Sequence, residues 1–166
     1  MAGSSICSLV SAQPLVQRHR SLVGVFAGSS GSSPINPSLI SIIQQGSDAR
    51  SAWADVAILG TQLTVNKEVA ELLLLHHPSL ALHACKPATF GEHLPGALLP
   101  HALEHLAIDL LVARFPDETF AGNTCWLERE EQTMRVHISL PKEGGPAPIS
   151  QALSEAMVLL NEMLSR

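Results

Sequence analysis

"TMRVHISL" (Thr133–Leu140) alternates apolar and polar residues without a break. Met134, Val136, Ile138 and Leu140 fall on one side, and Thr133, Arg135, His137 and Ser139 on the other. A period of two marks a strand with one buried face, of the kind found in antiparallel sheets. Just upstream, "TFAGNTCWLE" (119–128) reads as a second strand with a bulge expected at Gly122, joined to the first by the polar "REEQ". "ADVAILG" (54–60) is a third, short apolar and closed by glycine. Helical spacing governs the segments between. Val69, Leu72, Leu73 and His76 predict a helix over 66–77 that Pro78 stops. A second helix runs from Leu98 or Pro100 to Arg114, and a third over 149–164 with Ile149, Leu153, Met157, Leu160 and Leu164 on its core face. "HACKPATFGEHLPG" (83–96) reads as loop. This order gives an α+β fold, a small antiparallel sheet with helices packed on one face.

Residues 1–50 differ in composition from the rest. They are rich in Ser and Gly, as in "AGSSGSSPINPS" (27–38), and the first acidic residue is Asp48. Such a stretch buries little apolar surface, so a flexible arm is expected at 1–50 and the folded domain at 51–166. Within the arm, "SLVGVFAG" (21–28) and "SLISII" (38–43) are each able to add an edge strand or a short helix. The Ser-rich, acid-poor start with Arg18 and Arg20 shares features with organelle transit peptides. No basic n-region precedes an apolar stretch, so a secretory signal is not expected.

The whole chain of 166 residues carries a formal net charge of -5 with only 10 Lys+Arg, and no basic stripe. Nucleic acid and anionic membrane are therefore not expected as partners. Three scattered cysteines, Cys7, Cys85 and Cys125, form no CxxC pair. Neither a disulfide framework nor an all-cysteine zinc site follows, and a reducing cytoplasm is the natural setting.

The second helix holds the chemistry. In "LLPHALEHLAIDLLV" (98–112), Leu99, Leu103, Leu106 and Leu110 line one side, and His101, Glu104 and His105 the other. Ile108 and Val112 continue that other side, so it is a polar notch in an apolar wall rather than a solvent face. Buried and unpaired, such groups are costly. Histidines at i and i+4 project side by side and can share one Zn2+ ion. Glu104 beside the second histidine is placed as general base on a water at the metal. The pattern is H-x-x-E-H, the reversed zincin motif of the inverzincins. The competing structural reading is a helix end where His and Glu satisfy each other. His83 and Cys85 are within reach of a metal, although a small buried cysteine is the commoner role. His76-His77 before Pro78 suits a helix C-terminus.

"HPSLALHAC", "TFGEHLPGALLPHALEHLAIDLL", "GNTCWLE", "TMRVHISL" and the closing helix together resemble the N-terminal domain of cyanophycin synthetases over roughly residues 76 to 164. The matching points are His83 and Cys85, Phe90 and Gly91, and His101 to Leu110, with Asp109 where that family commonly has glutamate. The resemblance implies a pared-down inverzincin peptidase core that hydrolyses the polymer in some members and has lost its site in others. It also implies a third, carboxylate ligand from a later helix. Glu155 is the first choice, Glu143 and Glu162 the alternatives, and Asp109 is better placed to fix an imidazole. The synthetases go on into ATP-grasp and Mur-ligase-like domains. No P-loop or other nucleotide signature occurs here, so polymer synthesis is not expected of this sequence.

Three functions compete on this reading. One is a zinc-dependent hydrolase of peptide or amide bonds, metallopeptidase-like, acting on a peptide or polyamide substrate. Another is a non-catalytic binding module that keeps the fold. A third is an interaction subunit, as a homo-oligomer or beside a separately encoded partner enzyme. An open cleft beside the helix favours the first, and ligands closed off from solvent favour the second.

Overall fold

The computed structural model describes residues 39–86 and 88–166, together with the backbone of 6–8. The fold is α+β. Strands β1 (Ile6–Ser8), β2 (Ile40–Ser47), β3 (Ser51–Ile58), β6 (Gly122–Glu128) and β7 (Thr133–Ser139) form one antiparallel sheet in the order β1-β6-β7-β3-β2. A two-stranded hairpin, β4 (Ala84–Cys85) with β5 (Ala88–Thr89), stands apart from it. Helices α1 (Lys67–His76), α2 (Phe90–His93), α3 (Leu99–Arg114) and α4 (Ala147–Leu164), and a 3-10 turn at Pro78–Leu82, complete the described elements. None of the described helices is long and apolar enough to cross a membrane.

The alternation read at 133–140 sets the register. Val136 pairs with Ala54 on one side and Thr124 on the other, and Ile138 with Ala52 and Gly122. These side chains are buried, and α3 and α4 pack on them side by side. The opposite face is polar. Arg135 donates to both carboxylate oxygens of Asp55, at 2.6 and 2.8 Å, and its guanidinium lies 3.9 Å from the centre of the Trp53 ring. A register irregularity falls between Trp126 and Glu128, not at Gly122. The local reason is that Gly122 serves a neighbour, as described below.

Helix ends follow local chemistry. Asn66 caps α1 by accepting the Val69 N–H at 2.8 Å, and Pro78 ends it. Pro100 sits in the first turn of α3, where its missing N–H costs nothing. The segment 83–96, expected as loop, contains the β4–β5 hairpin and α2.

The arm expected over 1–50 does not extend through residues 40–47. These form β2, paired along its length with β3, and Ile40 is fully buried. Of the two structures open to "SLISII", the strand is the one adopted. The expected element at 21–28 lies outside the described residues. What makes β2 part of the fold is a contact invisible in its own composition. Asn161 on α4 accepts the N–H groups of Leu39 and Ile40 at 2.9 and 3.1 Å and donates to the Ile40 carbonyl at 2.9 Å. A helix side chain thus satisfies the backbone at the start of β2, the outer strand of the described sheet.

Two substitutions test this boundary in urea denaturation. Ile40→Ala should cost about 2–5 kcal/mol, as a core residue does. Asn161→Leu should cost roughly 1–3 kcal/mol by stranding the polar backbone groups it serves. Midpoints unchanged in both variants would return residues 40–47 to the arm.

Candidate metal centre

Three segments converge on the N-terminal half of α3. His101 and His105, one helical turn apart, bring their Nε2 atoms to 3.1 Å from one another. Cys85, at the end of β4, places its Sγ 3.8 Å from His101 Nε2. The donor atoms of Cys85, His101 and His105 all lie within 4.8 Å of one another. For a tetrahedral zinc site with the usual bond lengths, N···N edges are roughly 3.3 Å and N···S edges roughly 3.6 Å. The two measured separations are close to these, so the donor set fits a metal ion.

The surroundings keep this site dry. Cys85, His101 and His105 are 4%, 6% and 0% exposed. Phe90 stacks on the His105 ring, with centroids 3.7 Å apart and planes 11° from parallel. Phe90 reaches it because α2 lies directly on the 3-10 turn. A Cβ at Gly91 would come within 2.7 Å of the Ala81 Cα, so only glycine permits that approach. The Phe90 N–H also donates to the His83 carbonyl at 2.8 Å, tying α2 to the turn. Burial opposes protonation of both imidazoles. His101, which also faces His93, is pushed down to about 4, and His105, flanked by His101 and His83, to about 2. Neutral imidazoles are the form that binds metal.

Behind His105 stands a second layer. His83 Nδ1 is 3.3 Å from His105 Nδ1, and His83 Nε2 is 3.6 Å from Asp109 Oδ1. Asp109 in turn meets His77 Nδ1 at 2.9 Å and accepts from the Ser79 hydroxyl. Burial works against the Asp109 charge. The hydrogen bonds from His77 and Ser79 and the nearby His83 ring outweigh it and hold the carboxyl far below its ordinary range.

Glu104 faces elsewhere. Its carboxylate turns to β6, where it accepts from the Thr124 hydroxyl. A Cβ at Gly122 would lie 2.7 Å from the Glu104 Cδ, so the glycine makes room for the side chain. Glu104 is fully buried, and its Oε1 has no hydrogen-bond partner among the described residues. Burial raises its pKa to about 8, against a smaller opposing effect of the Thr124 hydrogen bond.

The expected residues therefore divide. His101 and His105 come together. Glu104 shares their helical turn but contacts the sheet. Glu155, expected as the third ligand, sits on the outer flank of α4, where its carboxylate accepts from Arg114 and, at 2.9 Å, from Gln151. Arg114 lies nine residues beyond His105, roughly 13 Å along the helix axis. The third place beside the histidines is taken by Cys85. Its signal in the sequence is the pair His83-Ala-Cys85 just ahead of Phe90-Gly91.

Glu104 supplies a pH test. Its folded pKa lies above the ordinary carboxyl value of 4.5, so the folded state holds a proton that the unfolded chain gives up. The stability this proton contributes is complete below about 4.5 and is lost as pH rises toward 8. His101 and His105 act oppositely, their contribution fading as pH falls below 6.5. They are common to both proteins in a comparison and cancel. Glu104→Gln should therefore gain on the unsubstituted protein between pH 5 and 8, by at most about 1.4 kcal/mol per pH unit. Denaturation curves that stay parallel across that range would show that Glu104 titrates normally.

Comparison with known proteins finds no family model, no curated protein and no solved structure that matches the chain.

Proposed function

We infer that this domain holds a zinc ion between Cys85, His101 and His105, and that the ion serves the fold rather than turnover. One observation carries the reading. Three donors from two separate segments converge within 4.8 Å of one another, two of their separations close to the edges of a tetrahedral site, with a hydrophobic ring stacked on one of them. A mixed nitrogen and thiolate set suits zinc, and not the hard cations magnesium and calcium. Ligands exposed by 6% or less leave little surface for a peptide to touch. That balance favours the non-catalytic module.

Zinc content per chain and thermal melting with and without a chelator test it. The protein should bind one zinc and melt lower when stripped. Cys85→Ser and His105→Ala should each lose the metal, because two remaining ligands rarely hold zinc tightly. Glu155→Gln should keep it. A protein that takes up no zinc when zinc is supplied would remove the reading.

A hydrolytic reading is supported by a different observation, the buried Glu104 oxygen without a partner on a carboxyl whose pKa is raised to about 8. Three protein ligands leave a fourth position in the coordination shell. A zinc held by Cys85, His101 and His105 would supply a lowered pKa for a water and polarisation of a carbonyl. Above about pH 8, where it is ionised, Glu104 would have to turn from β6 toward the cluster to take up the proton at its partnerless oxygen, on substrates such as peptides or cyanophycin-like polyamides. Glu104→Gln should then retain zinc while peptide hydrolysis falls about 10²–10⁴-fold. Zinc-loaded protein that cleaves none of these substrates leaves the module reading in place.

A further inference from the structure

We propose that His83 is a positioning residue which, backed by Asp109, fixes the proton of His105 on Nδ1 and so keeps Nε2 as its metal-binding nitrogen. The affinity arm of this inference rests on the zinc reading above, whereas its proton arm does not.

An imidazole has two nitrogens, and the hydrogen bond made by one decides what the other can do. In His105 the two face different worlds. Nε2 looks into the donor cluster, 3.1 Å from His101 Nε2. Nδ1 looks the other way, 3.3 Å from His83 Nδ1. A contact between two imidazole nitrogens needs one proton, on one side or the other. If His83 donated it from Nδ1, the neutral His83 would turn a bare Nε2 toward the Asp109 carboxylate 3.6 Å away, lone pair against negative charge. With the proton on Nε2 instead, His83 meets that charge favourably and leaves Nδ1 as an acceptor. His105 must then donate from Nδ1, and its Nε2 carries the lone pair.

Asp109 can enforce this because it is itself pinned. His77 and Ser79, which flank the start of the 3-10 turn, bind its two oxygens, and the carboxyl stays ionised. At 3.6 Å the His83–Asp109 contact is too long for a good hydrogen bond and acts by charge. The His83–Asp109 side chains bridge α3 to the turn that carries Cys85 onward into the site. The arrangement holds in the metal-free protein too. His101 then donates from Nε2 to the waiting His105 Nε2, and metal entry requires only that His101 move its proton to Nδ1 and Cys85 give up its own.

The test is long-range proton–nitrogen correlation NMR on the full chain, with and without zinc, joined to chelator competition for zinc affinity. In the metal-free protein the His105 proton should sit on Nδ1 and the His83 proton on Nε2. Asp109→Asn removes the charge while keeping the shape, and should mix the two forms of His83. His83→Leu removes the acceptor and should mix those of His105. Both variants should weaken zinc binding about 10–100-fold, and Asp109→Glu should recover most of it. A purely structural role for Asp109 would lower the melting temperature and leave the protonated nitrogens where they were. A His105 proton found on Nε2 overturns the proposal, as does zinc affinity unchanged in both variants. If zinc does not bind at all, the metal reading fails. The proton positions in the metal-free protein still decide whether His83 and Asp109 set His105.

Discussion

The structure depends on one constraint: the N-terminal half of α3 is buried on every side and still carries three ionisable groups. Water would solvate them cheaply, and the interior does not. The fold answers differently on the two flanks. Toward the sheet, Glu104 meets a hydroxyl and a glycine that leaves it room. Toward the hairpin and α2, the two imidazoles are kept neutral and turned onto each other and onto a thiol. Gly91 and Gly122 occupy corresponding positions in this scheme. Each removes a side chain so that a neighbour of the buried turn can come close.

Much of the architecture was legible because it is local. The alternation at 133–140 and the 3.6-residue spacing of α1, α3 and α4 arise from which face each element buries, and residues state that by themselves. Asn66, Pro78 and Pro100 mark helix ends by short-range chemistry. What stayed hidden depends on partners far along the chain. Ile40–Ser47 follows a Ser- and Gly-rich stretch and itself ends in Gly46 and Ser47, and Asn161, more than a hundred positions away, is what satisfies the backbone at its start. The paired histidines were readable from one turn of helix. Cys85 was legible only as within reach of a metal, because a lone cysteine carries no spacing rule, and the folding of the 3-10 turn onto α3 is what brings it to His101. Glu155 shows the reverse error. Its place on a late helix agrees with what the resemblance to cyanophycin synthetase domains implies, yet Arg114 at the end of α3 holds it in a surface pair.

The exchange of a carboxylate for a thiolate changes what such a site is suited to. A carboxylate is a hard donor, leaves the metal strongly electron-poor and can shift between one and two bonds. A thiolate is soft and polarisable and transfers more charge to the ion. Together with the stacked phenyl ring, this donor set would make a bound zinc less aggressive toward carbonyls and more strongly retained. The same surroundings that oppose protonation of the imidazoles would, with zinc bound, oppose its loss to mild acid.

The strand order also governs when the molecule can exist at all during its synthesis. The middle of the sheet joins Ser51 to Ser139 and Ala57 to Thr133, partners separated by some eighty positions. Apart from the β2–β3 hairpin and the β1–β6 pair, no pairing of the five-stranded sheet can close until β7 has been made, and α4 comes later still. Domains built from such distant pairings fold slowly, and their apolar strands wait exposed. A ribosome therefore delivers the greasy α3, with its histidines and its cysteine partner, well before there is a sheet to lay it on. The nascent chain spends that interval with a helix the finished fold buries left uncovered, which makes this a period when chaperone contact matters.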